Sequence, residues 1–193
     1  MHINMEMKEF VINLLDDNLP EFYYYHNYEH TLYVADKAIE IGIQENCTGE
    51  ELRLLNAAAL WHDTGLIHIF IEHEEESCKL AKEYLPQFGF KVEEINKICG
   101  MIMATKIPQS PKNKLEKIIA DADVEYLGTA NASTWAEKLF KEQQAMNPLL
   151  TKEEWNETQI SFLKNHHYFT EYCKKEKEPL KEKYLDKLLN KNS

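Results

Sequence analysis

The stretch "CTGEELRLLNAAALWHD" (residues 47–63) decides how the rest of the chain is read. Thr48 followed three residues later by Glu51 is a capped helix start. Leu54, Leu55, Ala57, Ala58, Ala59, Leu60 and Trp61 then leave that helix no polar side, so it is predicted to be central. It ends on His62 and Asp63, which are therefore expected to be buried. A buried carboxylate beside a buried imidazole needs a partner, because unpaired burial costs about 2–7 kcal/mol or is avoided by neutralisation. A divalent cation is one such partner.

Working outward, the dominant period is helical. Helices are predicted over 5–16, 28–42, 74–86, 92–105, 113–127, 132–146, 151–164 and 170–190, with Gly42 as the end of the second. No alternating run bounded by hairpin dipeptides signals a strand. The breaks "PQFGFK", "KIPQSPKN", "MNPLLT" and "NHH" are too short to be domain linkers. The expectation is an all-α, single-domain helical bundle over 1–193. Its motif-bearing core spans about 22–128, with C-terminal helices over 132–190.

Composition narrows the function. The 193 residues carry 22 bases against 33 acids, a net charge of −11, which repels duplex nucleic acid. No apolar run approaches the ~20 residues of a membrane span. The start lacks a basic n-region, so a cytoplasmic protein with no membrane partner is expected. The four cysteines are widely spaced with no CxxC pair, which argues against a thiolate zinc site. Neither a GxxxxGK[ST] loop nor a GxSxG elbow is present.

Histidines are concentrated: of eight, His26, His30, His62, His68 and His73 fall within residues 26–73. In "YHNYEHT" (residues 25–31) His26 and His30 lie four apart and share a helix face. A second acidic site is "KIIADADVEYLG" (residues 117–128), where Asp121 and Asp123 point about 200° apart on a helix. Periodicity makes Asp123, grouped with Ile119, Ala120, Tyr126 and Leu127, the deeper of the two. Both remain candidate ligands.

The order His30, His62–Asp63, then a late Asp resembles the HD superfamily of metal-dependent phosphohydrolases. "YHNYEHT" resembles the YHNxxH segment of cyclic-nucleotide phosphodiesterases within it, and "DADVEYLG" is similar to the late motif of bacterial HD phosphohydrolases. The resemblance runs from about Tyr25 to Gly128 and implies an HD-type helical bundle. It implies His30, His62, Asp63 and Asp123 as metal ligands, with Asp121 as the alternative to Asp123. Asp63 in such sites can bridge two ions, and His26 takes the role of general acid. "HEEES" (residues 73–77) matches a segment of related bacterial proteins, so that His73 and Glu74 are candidates to position water or bind a second metal. Lys106 is a candidate contact for a substrate phosphate.

The activity implied is hydrolysis of a phosphomonoester or phosphodiester of a nucleotide or similar small metabolite by metal-activated water. The mixed nitrogen and oxygen donor set suits Mn, Fe, Ni, Co or Zn, and tolerates Mg. Two other readings remain: a di-iron oxygenase on the same fold, with His68 and His73 as extra ligands, or a metal-binding regulatory module without turnover. The sequence does not decide the oligomeric state.

Overall fold

In the computed structural model of the chain, which describes residues 5–191, Thr48 caps α3 (Gly49–Trp61) as its sequence requires. The Thr48 hydroxyl accepts the Glu51 amide at 3.2 Å, and the Glu51 carboxylate accepts the Thr48 amide at 2.7 Å. Two of the four otherwise unpaired N-terminal N–H groups are thereby satisfied. Every residue from Leu54 to Trp61 is buried.

Four helices surround α3: α2 (Tyr28–Gln44), α4 (His73–Tyr84), α5 (Val92–Met103) and α6 (Lys114–Asp123). The first of the chain, α1 (Met5–Asn18), buries Met7, Val11 and Leu15 against the same core. A C-terminal layer follows, with α7 (Ala132–Met146), α8 (Lys152–Asn165), α9 (Glu171–Glu176) and α10 (Glu178–Lys191). Within it α10 packs on α8, and it joins the first layer through the 3-10 turn Glu125–Gly128 and through α9, which packs on α2. The fold is all-α, with ten α-helices and no strand among the described residues. No helix among these residues is long and apolar enough to cross a membrane.

Three of the differences from the periodic reading bear on the fold. Gly42 does not end α2, which runs to Gln44. A Cβ on Gly42 would stand 2.7 Å from Leu52 and 3.1 Å from Leu55, so the glycine allows α2 to approach α3. The expected helix over 113–127 stops at Asp123 and passes into the 3-10 turn. The expected helix over 170–190 breaks at Lys177 into α9 and α10.

Candidate metal centre and the cavity beside it

Each candidate ligand is delivered by a different helix end. Asn27 caps α2 and accepts the amides of Glu29 and His30, which fixes His30 in the first turn. His62 terminates α3, and Asp63 opens the 3-10 turn Thr64–Ile67. Asp123 is the last residue of α6. The structure brings these together: one ligand atom each from His30, His62 and Asp123 lie within 4.8 Å of one another. His30 Nε2 is 3.1 Å and His62 Nε2 3.5 Å from Asp123 Oδ1. Asp63 Oδ2 stands 3.0 Å from His62 Nε2 and 3.6 Å from His30 Nε2.

These residues fit a cation. His62 Nδ1 lies 2.8 Å from the Ala59 carbonyl, which can only accept, so the proton of a neutral ring sits there and Nε2 carries the lone pair. That Nε2 and Asp63 Oδ2 are buried, yet neither has a hydrogen-bond partner despite their closeness. Lone pairs left without a partner in the interior are costly unless something occupies the point they share.

The charges respond accordingly. Burial pulls the His62 imidazole down, but Asp63 and Asp123 outweigh it and hold its pKa well above the ordinary value. Burial pushes the Asp63 carboxyl up, but His62, with His73 and His26, holds it well below the usual carboxylate range. Asp123 is likewise pulled down by His30 and His62 against the effect of burial. For His30 burial wins, and its pKa falls.

Asp121 and Asp123 differ in a way that corrects the periodic reading. Asp121 is the deeper residue, at 0% exposure, whereas the Asp123 side chain retains 16%. The Asp121 carboxylate accepts the amides of Phe169 and Thr170, each at 2.8 Å, and the Thr170 hydroxyl at 2.6 Å. Burial pushes its pKa up to about 6, the hydrogen bonds offsetting only part of that effect. It anchors the entry to α9 and lies outside the histidine cluster. Asp121→Asn should therefore lower stability by about 1–3 kcal/mol, the cost of an ill-satisfied buried group, and leave metal affinity intact. Asp123→Asn should instead weaken metal binding, and calorimetric metal titration beside urea denaturation separates the two.

His73 reaches the cluster from α4. Its Nδ1 donates to the Phe70 carbonyl at 3.0 Å, and its Nε2 lies 3.3 Å from Asp63 Oδ1, the oxygen not facing His62. Burial would lower its pKa, but Asp63 and Glu74 bring it up to about 9. Glu74 is buried, 3.7 Å from His73. The turn that sets α4 against Asp63 depends on Gly65, whose amide donates to Ser77 Oγ at 2.8 Å. A Cβ there would stand 2.1 Å from the His73 carbonyl oxygen and 2.6 Å from the Ser77 amide, both backbone atoms. Gly65→Ala should thus cost about 3 kcal/mol by overpacking, visible as a lower urea midpoint, and should shift His73 from Asp63.

His68 does not join this group. It is exposed and lies 3.0 Å from Glu76. Lys106 lines the cavity, but its ammonium is already paired with Glu75 at 2.6 Å and approaches Glu72 at 3.7 Å.

His26 is held by a residue that the sequence did not single out. Glu142, on α7, is wholly buried. Its carboxylate accepts the Tyr25 amide at 2.8 Å, the His26 amide at 3.0 Å, and a short hydrogen bond from His26 Nδ1. Burial lowers the His26 pKa, but the Glu142 hydrogen bond and charge reverse this and the net direction is up. With Nδ1 engaged, Nε2 is the atom free to exchange a proton. Glu142 lies in "KEQQAMN", 116 residues from His26, where nothing in the local pattern marks it.

A cavity of about 590 Å³ adjoins the cluster, and His26, Asp63, His73 and Asp123 form part of its wall.

Comparison with known proteins places this arrangement. The family model of the HD domain matches residues 27–125, 99 of the 193 residues. A solved structure of a predicted HD superfamily hydrolase from an uncultured Thermotogales bacterium superposes with a TM-score of 0.65 at 22% identity, covering 98% of this chain and 93% of that one. Bacillus subtilis YpgQ, solved in complex with ADP, superposes with a TM-score of 0.66 at 20% identity, covering 97% and 93%. A further structure of Bacillus subtilis YpgQ gives 0.65 at 18% identity, covering 97% and 94%. At these identities the likeness shows a shared fold. No curated protein matches the sequence. The matched segment contains His30, His62, Asp63 and Asp123, and the chain belongs to the HD domain family.

Proposed function

We propose that this protein is a metal-dependent phosphohydrolase that cleaves a phosphate ester of a nucleotide or a similar small phosphorylated metabolite. The observation that carries the reading is the convergence of His30 Nε2, His62 Nε2, Asp63 Oδ2 and Asp123 Oδ1 on one point, where His30 bonds Asp123 at 3.1 Å but His62 Nε2 and Asp63 Oδ2 are buried without a hydrogen-bond partner. A divalent cation held there supplies Lewis acidity toward a phosphoryl oxygen and lowers the pKa of water toward neutrality. Mn, Mg, Fe, Ni, Co and Zn are compatible with the donor set.

The chain's own groups supply the rest. His26, oriented by Glu142, holds a proton at Nε2 for the departing oxygen, and the Glu142 hydrogen bond and charge favour the protonated ring against burial. His73, charged at neutral pH beside Asp63, presents a positive group to an anionic substrate on the cavity wall. Lys106 offsets the acidic rim, since Glu75 and Glu72 already engage it. The ADP in the YpgQ complex supports a nucleotide as the substrate class. Four free thiols, three of them buried, agree with a reducing cytoplasmic setting.

The di-iron reading is less well supported, because His68 turns to Glu76 and leaves His73 as the additional imidazole beside the cluster among the described residues. The test is a chelator-stripped protein reloaded with each metal and assayed on a nucleotide panel and on p-nitrophenyl phosphate, with oxygen consumption followed in parallel. Metal-restored phosphate release supports the proposal. Oxygen uptake, or tight ligand binding with no release by any loaded form, contradicts it.

A further inference from the structure

The cavity has two chemically different walls. All its ionisable acids and bases of the carboxylate, imidazole and ammonium types come from the segments around residues 26, 63, 72–74, 106 and 123. The wall built by α7, α8 and α10 contributes none. It is formed by Ala136, Leu139, Trp155, Phe162 and Leu163, with neutral polar groups at Thr158, Gln159 and Tyr184. A volume of about 590 Å³ is far more than a phosphate group fills and falls within the range of small-molecule sites. A second anionic group lodged against the α7–α8–α10 wall would meet no cation from it.

The polar atoms on that wall are specific. Tyr184 donates its hydroxyl hydrogen to Gln159 Oε1 at 3.0 Å, which fixes the amide orientation. Gln159 Nε2 has only a marginal 3.5 Å contact with Asn156 Oδ1. The Thr158 hydroxyl is already given to the Glu154 carbonyl at 2.9 Å. The wall therefore offers aromatic and aliphatic surface together with an oriented, under-used amide donor at Gln159 and the Trp155 indole N–H, which is buried without a partner. An aliphatic chain would leave that amide unanswered, whereas a heteroaromatic ring with an in-plane acceptor would satisfy it and bury its faces on Trp155 and Phe162.

Resting on the phosphohydrolase reading, we infer that the α7–α8–α10 wall is the binding subsite for an uncharged nucleobase of the substrate, with the Gln159 amide contacting a ring-edge acceptor while the phosphate lies at the histidine–aspartate cluster. Discrimination between substrates then resides in α8, outside the matched family segment.

The test titrates the full chain by calorimetry, with Mn²⁺ and again in chelator, using adenosine 5′-monophosphate, ribose 5-phosphate and n-octyl phosphate; turnover is measured separately. The nucleotide should bind roughly tenfold or more tightly than ribose 5-phosphate, the scale of burying one aromatic group. Gln159→Leu and the exposed-position variant Thr158→Trp, which narrows the chamber, should each shrink that gap several-fold. Ribose 5-phosphate should bind both variants as it binds the parent. Equal affinity for nucleotide and ribose phosphate overturns the inference, as does an unchanged gap in both variants or the absence of binding by all three. Octyl phosphate binding as well as the nucleotide overturns the nucleobase in favour of an aliphatic group. An intact gap with no phosphate release from any ester would remove the hydrolytic reading and leave the subsite standing.

Discussion

Asp63→Asn is expected to reduce kcat/KM by about a thousandfold, on the scale of removing a group that holds transition-state charge in a closed site. The substitution keeps the shape of the side chain and removes what the site uses. Oδ2 faces His62 and His30, and Oδ1 faces His73, so one carboxylate serves three imidazoles. An amide nitrogen in either place carries hydrogens and offers no lone pair. Stability should change as well, with a defined dependence on pH. Because the histidines hold Asp63 well below the usual range, its ionised form stabilises the metal-free fold above about pH 4. That contribution is lost as pH falls through the depressed pKa. The variant should therefore be less stable than the parent at neutral pH, with the difference closing in acid. Helical circular dichroism should be unchanged. Retention of more than about a tenth of the parent kcat/KM would show that Asp63 does not serve the reaction.

Glu142→Gln is expected to have the next largest effect, through His26. A glutamine keeps one acceptor oxygen but turns an NH₂ group toward donors, since Tyr25 N, His26 N and His26 Nδ1 all point at this carboxylate. Loss of the buried acceptor should cost about 2–3 kcal/mol of stability. The catalytic effect should depend on the leaving group, which separates positioning of an acid from a general loss of structure. For an alkyl ester, whose departing oxygen needs a proton, kcat should fall about a hundredfold in both Glu142→Gln and His26→Ala. For p-nitrophenyl phosphate, whose leaving group departs as the anion, the loss should be less than about fivefold. Equal losses on both esters would assign Glu142 and His26 a purely structural role.

How far the molecule could be read beforehand depends on the range of each signal. The centre of the fold is local information: the Thr48–Glu51 cap and the apolar run after it lie within one helix, and the structure has that helix buried as expected. The all-α class follows from the same periodicity repeated along the chain. What periodicity could not supply was the outside of a helix face. Periodicity ranks Asp121 the shallower because Lys117 and Glu125 make its face the less apolar one, yet the chain returns 48 residues later and lays the Phe169 and Thr170 amides over it. Periodicity ranks Asp123 the deeper, yet it ends α6 and borders a cavity, which is where a ligand must be. Burial and accessibility to a ligand are different properties, and a helical wheel reports only the first. Glu142 is invisible for the same reason, since its partners are over a hundred residues away and its own helix turn is polar. Gly42 shows the converse, a residue whose helix-ending tendency yields to the need for α2 to lie close to α3.

The most direct measurement is a calorimetric titration of Mn²⁺ into chelator-stripped protein, repeated on His30→Ala, His62→Ala and Asp123→Asn. The arrangement of donors predicts that the parent binds the ion, and that each substitution weakens binding by at least about tenfold while the fold stays helical. A stripped parent chain that takes up no divalent ion, or variants that bind it as the parent does, would contradict the account at its centre.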